Sequence, residues 1–215
     1  YPQGKEKAFS VSYDDGVLQD IRLVELMNRY GIRGTFNLNS ALMELGFAWI
    51  HENGMMVKRL SPAEAAGLYD CHEIASHTLT HPYMHDLTES EILRQMGEDK
   101  RALEEMFGRE VEGFAVPFEF YSQQIADCAK ASGFAYARMS ECTGNYCPWQ
   151  DRYYWKCGMF HLQPQLRDFV AGFLETEEEL ALCQIVGHSY DLDAEDLWDT
   201  TEEIFRSVTG HEDIW

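Results

Sequence analysis

Basic residues are scarce in this chain: over 215 residues, 17 Lys+Arg stand against 37 Asp+Glu, a formal net charge of −20. That balance argues against nucleic acid as a partner, because gripping a phosphate backbone takes clustered cations that displace counterions. The same sign argues against anionic membrane surfaces. Long apolar runs are also missing, with nothing near the roughly 18 residues of a membrane span, and Tyr1-Pro2-Gln3-Gly4-Lys5 does not open a secretory leader. No linker-like stretch divides residues 1–215, which are expected to form one domain. Nor do the cysteines form a framework. Cys71, Cys128, Cys142, Cys147, Cys157 and Cys183 are scattered, and they read mainly as free thiols in a reducing, cytoplasmic setting, with an exported form whose leader has been removed as the alternative. Cys142, Cys147, Cys157 and His161 do form C-x4-C-x9-C-x3-H, but that spacing belongs to no zinc ribbon or finger, and the alternative is a loop whose thiols bind nothing.

What the chain has is apolar substance, 45% hydrophobic and 13% aromatic, enough for a sizeable core. Its pattern switches repeatedly between strand and helix periods. Ala8 to Tyr13 alternates as a strand, and Ile21 to Met27 recurs at helical spacing up to Gly31, a C-terminal cap. Gly34 to Asn39 is the next strand. His51-Glu52-Asn53-Gly54 marks a hairpin turn between Trp49 and Leu60, and Ser61-Pro62-Ala63-Glu64 is a capping box opening a short helix. Strand Glu73 to Ser76 precedes a helix capped at Thr88 and running through Met106. Further strands are expected at Gly113 to Phe118, Ala135 to Met139 and Leu180 to Val186, with helices at Ser122 to Ala131 and around Thr200 and Glu203. Glu141 to Gln165 reads as irregular. The alternation predicts an α/β fold, a distorted (β/α) barrel of about seven parallel strands, incomplete near the C-terminus.

Polar clusters follow three of those strands: Asp14-Asp15-Gly16, His77-Thr78-Leu79-Thr80-His81, and Gly187-His188-Ser189-Tyr190-Asp191. Each alone also reads as a turn or a satisfied histidine. Together they sit at C-terminal strand ends, which converge on one face of a parallel barrel. One Asp and two His make a three-ligand metal site with a position left open, and a further Asp and His supply the base and acid that hydrolysis of an amide or ester needs. His85 lies just before the Thr88 cap and reads as solvated.

Ser12-Tyr13-Asp14-Asp15-Gly16, His77-Thr78-Leu79-Thr80-His81, Ala115-Val116-Pro117-Phe118 and His188 resemble, in order, the motifs of the polysaccharide deacetylases, carbohydrate esterase family 4 with its NodB-homology domain. The resemblance implies removal of acetyl groups, N- or O-linked, from a carbohydrate with one divalent metal. It implies Asp14 as general base, Asp15, His77 and His81 as metal ligands, His188 as general acid, and the Phe118 N–H at the oxyanion, with Tyr13 beside the substrate. Zinc is the first expectation for the metal, and cobalt, iron and manganese suit the same donors. Two departures stand out. Tyr13 replaces the usual Phe, and Ala115 stands where the family often carries an arginine that tethers the base. Arg138, near the end of the following strand, is the cation best placed to compensate. Tyr83, Phe120, Tyr121, Trp149 and Trp155 are candidates for stacking on sugar rings. A metal hydrolase of a non-sugar amide and a non-catalytic carbohydrate-binding domain are the competing readings.

Overall fold

A computed structural model describes residues 1–118, 121–147 and 151–215; Phe120 and Trp149 lie outside the described residues. In chain order the elements are β1 (Lys7–Asp14), α1 (Asp20–Tyr30), β2 (Gly34–Leu38), α2 (Ser40–Glu44), β3 (Ala48–Ile50), β4 (Met56–Lys58), α3 (Pro62–Ala65), β5 (Glu73–Ser76), α4 (Glu89–Phe107), β6 (Gly113–Ala115), α5 (Gln123–Ala131), β7 (Tyr136–Cys142), β8 (Trp155–Cys157), β9 (Met159–Phe160), α6 (Leu166–Glu175), β10 (Ala181–His188), α7 (Ser189–Ala194) and α8 (Trp198–Val208). Eight strands form one sheet in the order β8-β7-β6-β5-β2-β1-β10-β9. Every neighbouring pair in that sheet is parallel.

The sheet curls into a nearly closed barrel because one short segment serves both edges. Trp155–Cys157 pairs with β7, and after Gly158 the chain continues as Met159–Phe160 against β10. Gly158 N–H donates to the Gln184 carbonyl at 3.1 Å. A Cβ at Gly158 would stand 2.7 Å from that carbonyl, so only glycine lets the closing segment cross. The antiparallel pair β3 and β4 is a separate hairpin between β2 and β5.

Side-chain alternation on β1 divides core from site. Phe9, Val11 and Tyr13 join the apolar layer with Leu23, Val24 and Met27 of α1. Ser12 and Asp14 point the other way, into the barrel, where Asn37 Nδ2 reaches both. Capping acts as the sequence indicates: Ser61 and Thr88 each form a reciprocal capping box, and Gly31 closes α1 in the left-handed conformation.

Five local expectations are corrected. The strand expected at Gly113 to Phe118 ends at Ala115, because Phe118 turns into the left-handed region at φ 60°. The Thr200 and Glu203 pair caps nothing, since α8 already starts at Trp198. The irregular stretch contains β8 and β9, and α6 follows with Leu166, Phe169, Val170 and Phe173 buried at helical spacing. Near the C-terminus, Ile214 and Trp215 pair beside the start of β1, opposite the length that β2 leaves uncovered.

The fifth concerns the thiols. Cys142 and Cys157 are cross-strand partners joined by a disulfide, so the six are not all reduced and the C-x4-C-x9-C-x3-H set does not form a zinc site. The thiol count therefore no longer argues for a reducing compartment. Titration of the denatured protein is expected to find two fewer thiols before reduction than after it; equal counts would remove the bridge. Among the described residues, no helix is long and apolar enough to cross a membrane.

Candidate metal and catalytic site

A cavity of about 930 Å³ opens at the C-terminal ends of the strands, lined by Asp14, Asp15, His77, His81, Phe118, Arg138 and His188 among others. The three polar clusters thus meet on one face, as parallel topology requires. A smaller cavity of about 530 Å³, beside Arg33, Glu73 and Trp215, gathers none of these groups.

Ligand atoms of Asp15, His77 and His81 lie within 4.8 Å of one another, the one such three-residue group among the described residues. His77 Nδ1 is 2.9 Å from the Ala115 carbonyl, which fixes the Nδ1–H tautomer and turns a basic Nε2 toward the cluster. Burial drives the His77 pKa down to about 4 and also lowers that of His81, so both rings are neutral, the form that ligates. Asn39 holds the intervening loop by donating to the carbonyls of His77 and Thr78. Asp15 Oδ1 is buried and accepts no hydrogen bond. Arg59 Nη1 comes to 2.8 Å of that oxygen but aligns its donor with the Asp15 main-chain carbonyl. A carboxylate oxygen that is ion-paired with Arg59 yet accepts no hydrogen bond, facing two neutral imidazoles, is a donor set that fits one divalent ion.

Asp14 is held differently. Its Oδ1 accepts from Asn37 at 2.7 Å and from Arg138 Nη2, while Oδ2 faces His77 Nε2 at 4.0 Å. Burial alone would raise its pKa, but the Arg138 charge beside it, with His188, lowers it. Arg138 sits beside Ala115 in register on β7. From there it crosses the barrel interior to β1, four places away in the sheet. The methyl at 115 thus stands next to the cation that pairs with Asp14.

His188 ends β10, and its Nδ1 is 3.1 Å from Asp191 Oδ2. Burial works against its protonated form, yet the Asp191 hydrogen bond and the carboxylates of Asp15 and Asp14 raise its pKa overall. Tyr190 stacks on the ring, with centroids 4.9 Å apart.

Positive backbone φ is uncommon outside glycine. Of the seven such residues among those described, Asp15, Thr78, His81 and Phe118 all lie at this site. The Phe118 ring is stacked on Tyr83 at 3.8 Å and edge-on to His81 at 4.6 Å.

Tyr13, expected beside the substrate, is instead buried on the outer face of β1 with its hydroxyl 3.4 Å from His161 Nδ1. A side chain one residue from Asp14 on a strand must point to the opposite face. Among the stacking candidates, Tyr83 lines the cavity, Tyr121 stacks on Tyr154, and the Trp155 indole donates to Gln184. The cavity aromatic Phe160 escaped the sequence reading, as did Asn37 and Arg59, whereas Tyr190 was already part of the cluster around His188.

The polysaccharide deacetylase family model matches residues 2–137, more than half of the chain, and the protein belongs to that family. No curated protein sequence matches it. Solved structures similar to it include the Streptomyces lividans family 4 carbohydrate esterase in complex with acetate, at 12% identity and TM-score 0.60, covering 95% of this chain and 90% of that one. The Streptococcus pyogenes deacetylase PplD, also with acetate, matches at 16% identity and TM-score 0.54 over 61% of this chain. A Bacillus anthracis family 4 pseudoenzyme matches at 17% identity and TM-score 0.57 over 97% of this chain. The chain spans 55% of PplD and 63% of the pseudoenzyme. At these identities the likeness is one of fold.

Proposed function

We propose that the chain is a metal-dependent hydrolase that removes N- or O-linked acetyl groups from a carbohydrate. The observation that carries this reading is the meeting, in one cavity, of a cation-paired carboxylate, Asp14, and a carboxylate-tethered imidazole, His188, beside the Asp15, His77 and His81 cluster. When bound there, a divalent ion, zinc first among the candidates, supplies Lewis acidity and lowers the pKa of water from 15.7 to about 7.

The chain's own residues do the rest. Asp14 Oδ1 is committed to Asn37 and Arg138, so Oδ2 takes the proton of the attacking water. The water oxygen bonds to the acetyl carbon, and the Phe118 N–H helps carry the negative charge on the carbonyl oxygen. His188, with Nδ1 engaged by Asp191, gives the proton on Nε2 to the departing nitrogen or oxygen as the acyl bond breaks. Tyr83, Phe160 and Tyr190 present ring faces and edges to the sugar. Acetate in two of the similar structures supports acetyl transfer to water as the reaction.

A pseudoenzyme among the similar structures keeps a non-catalytic binding role in view, and the presence of both Asp14 and His188 favours activity. The test is acetate release from a panel of N- and O-acetylated oligosaccharides, with metal measured on the same sample. Asp14→Asn and His188→Ala are each expected to retain metal and lose roughly 10²-fold or more in kcat. Glycan binding without acetate release would replace catalysis with recognition, and release from non-sugar amides alone would replace the substrate class.

A further inference from the structure

We propose that His161 is a positioning residue for His188, acting through the carboxylate they share, and that Gly187 is the residue that admits it. This rests on the reading of His188 as the acid. Asp191 Oδ2 lies 3.1 Å from His188 Nδ1 and 3.0 Å from His161 Nε2. Against the effect of burial, hydrogen bonds to the two rings hold the Asp191 pKa below the usual carboxylate range, so this one buried, ionised oxygen accepts from both imidazoles. The His188 main-chain N–H, 3.4 Å from His161 Nε2, is the longer contact. His161 is 4% exposed, and burial keeps its ring neutral. A neutral ring that donates from Nε2 must accept at Nδ1, and there the Tyr13 hydroxyl stands at 3.4 Å. The chain therefore runs Tyr13 to His161 to Asp191, with His188 donating into the same oxygen from the cavity side.

Without the second donor, Asp191 is free to rotate its carboxylate away from His188. With it, the oxygen that orients His188 is fixed from behind. Outer partners of this kind commonly change activity by about 10–100-fold when removed.

Gly187 supplies an independent observation. A Cβ there would overlap the His161 ring, so the residue immediately before His188 must be glycine for the imidazole to lie against the strand. The Gly187-His188 pair in the sequence thus couples space for His161 with the acid itself. His161 arrives from the other edge of the ring: it follows β9, whose pairing with β10 sets its N–H 2.9 Å from the Val186 carbonyl.

The closing experiment has an arm that needs no turnover. In the wild type, hydrogen-bonded ring N–H protons of His188 and His161 should give two downfield proton NMR signals, each identified by its loss in the corresponding alanine variant. His161→Phe keeps the bulk and removes the donor; it is expected to lose or exchange-broaden the His188 signal as well as its own. His161→Gln, which retains a donor near the Nε2 position, should keep the His188 signal. On a substrate that releases acetate, His161→Phe should lower kcat about 10-fold or more with KM and metal content unchanged, and His161→Gln should recover most of it. Should His161→Phe fail to fold, Gly187→Ala gives the second route: it should impair the wild type, yet add nothing to His161→Ala, where the ring is gone. An unchanged His188 signal in His161→Phe, or full additivity of Gly187→Ala with His161→Ala, would overturn the inference while leaving the deacetylase reading intact. Absence of acetate release from the wild type would sink that reading and leave the NMR arm to decide this one.

Discussion

His77→Ala is expected to empty the metal site and cut kcat/KM by roughly 10³-fold or more, while His85→Ala keeps both metal and activity. The loss is large because a bound ion contributes several kcal/mol of charge stabilisation, and each 1.36 kcal/mol is about tenfold in rate. His77 is buried, its Nδ1 is engaged by the Ala115 carbonyl, and its Nε2 faces Asp15 and His81. Alanine removes the ligand and leaves that carbonyl without its partner. His85 is four residues beyond His81, yet the chain turns through the short 3-10 helix Met84–Asp86, and its ring pairs with Asp86 at 3.1 Å on the exposed side. Elemental analysis of both variants, purified alike, checks the assignment. Equal metal in the two would mean that His77 is not a ligand.

The residues of this site were unequally legible in the sequence, and the reason is physical. Asp14, Asp15, His77, His81 and His188 sit at strand ends, and parallel topology carries such positions to one face whatever lies between them. Arg138 was legible on the same ground, although its strand runs on to Cys142. Arg59 was not. It belongs to no motif and reaches Asp15 because the segment after β4 folds back antiparallel to the turn after β1, with Leu60 N–H on the Gly16 carbonyl at 2.8 Å. Tyr13 was misread because a residue adjacent to Asp14 looked like part of the site, whereas strand alternation sends it outward. His161 presented itself with cysteines, as a metal ligand. Only the pairing of β9 with β10 reveals that its partner is Asp191. The α6 helix had a clear signal in Leu166, Phe169, Val170 and Phe173, hidden by the aromatic, irregular stretch before it.

Arg138→Met is expected to do two things at once: destabilise the fold by about 3–5 kcal/mol at neutral pH, the usual cost of removing one partner of a buried ion pair, and move the acidic limb of the rate profile to higher pH. Both follow from Asp14. Its side chain is 11% exposed and that of Arg138 3%, so solvent screens neither charge. With Arg138 present the folded carboxyl has a pKa below its ordinary value, although burial alone would raise it. A carboxyl depressed by folding contributes stability that is present above the unfolded pKa of about 3.9 and is lost as pH falls through the lower folded value. Without the guanidinium, burial prevails and the folded pKa rises. Asp14 then binds a proton at a pH where the wild type does not. The stability gap between variant and wild type should therefore narrow on acidification, because the variant relieves its unpaired charge by protonation. In catalysis the same proton occupies the base, so kcat falls on the acidic side first. Arg138→Lys keeps a charge without the planar fork and should lie between the two. Metal content should change little, since Arg138 pairs with Asp14 and not with Asp15, His77 or His81. Thermal melts at several pH values, read beside pH profiles of kcat, check both limbs of the argument. A variant with wild-type stability and an unmoved acidic limb would show that His188 and the bound ion suffice to hold Asp14 ionised.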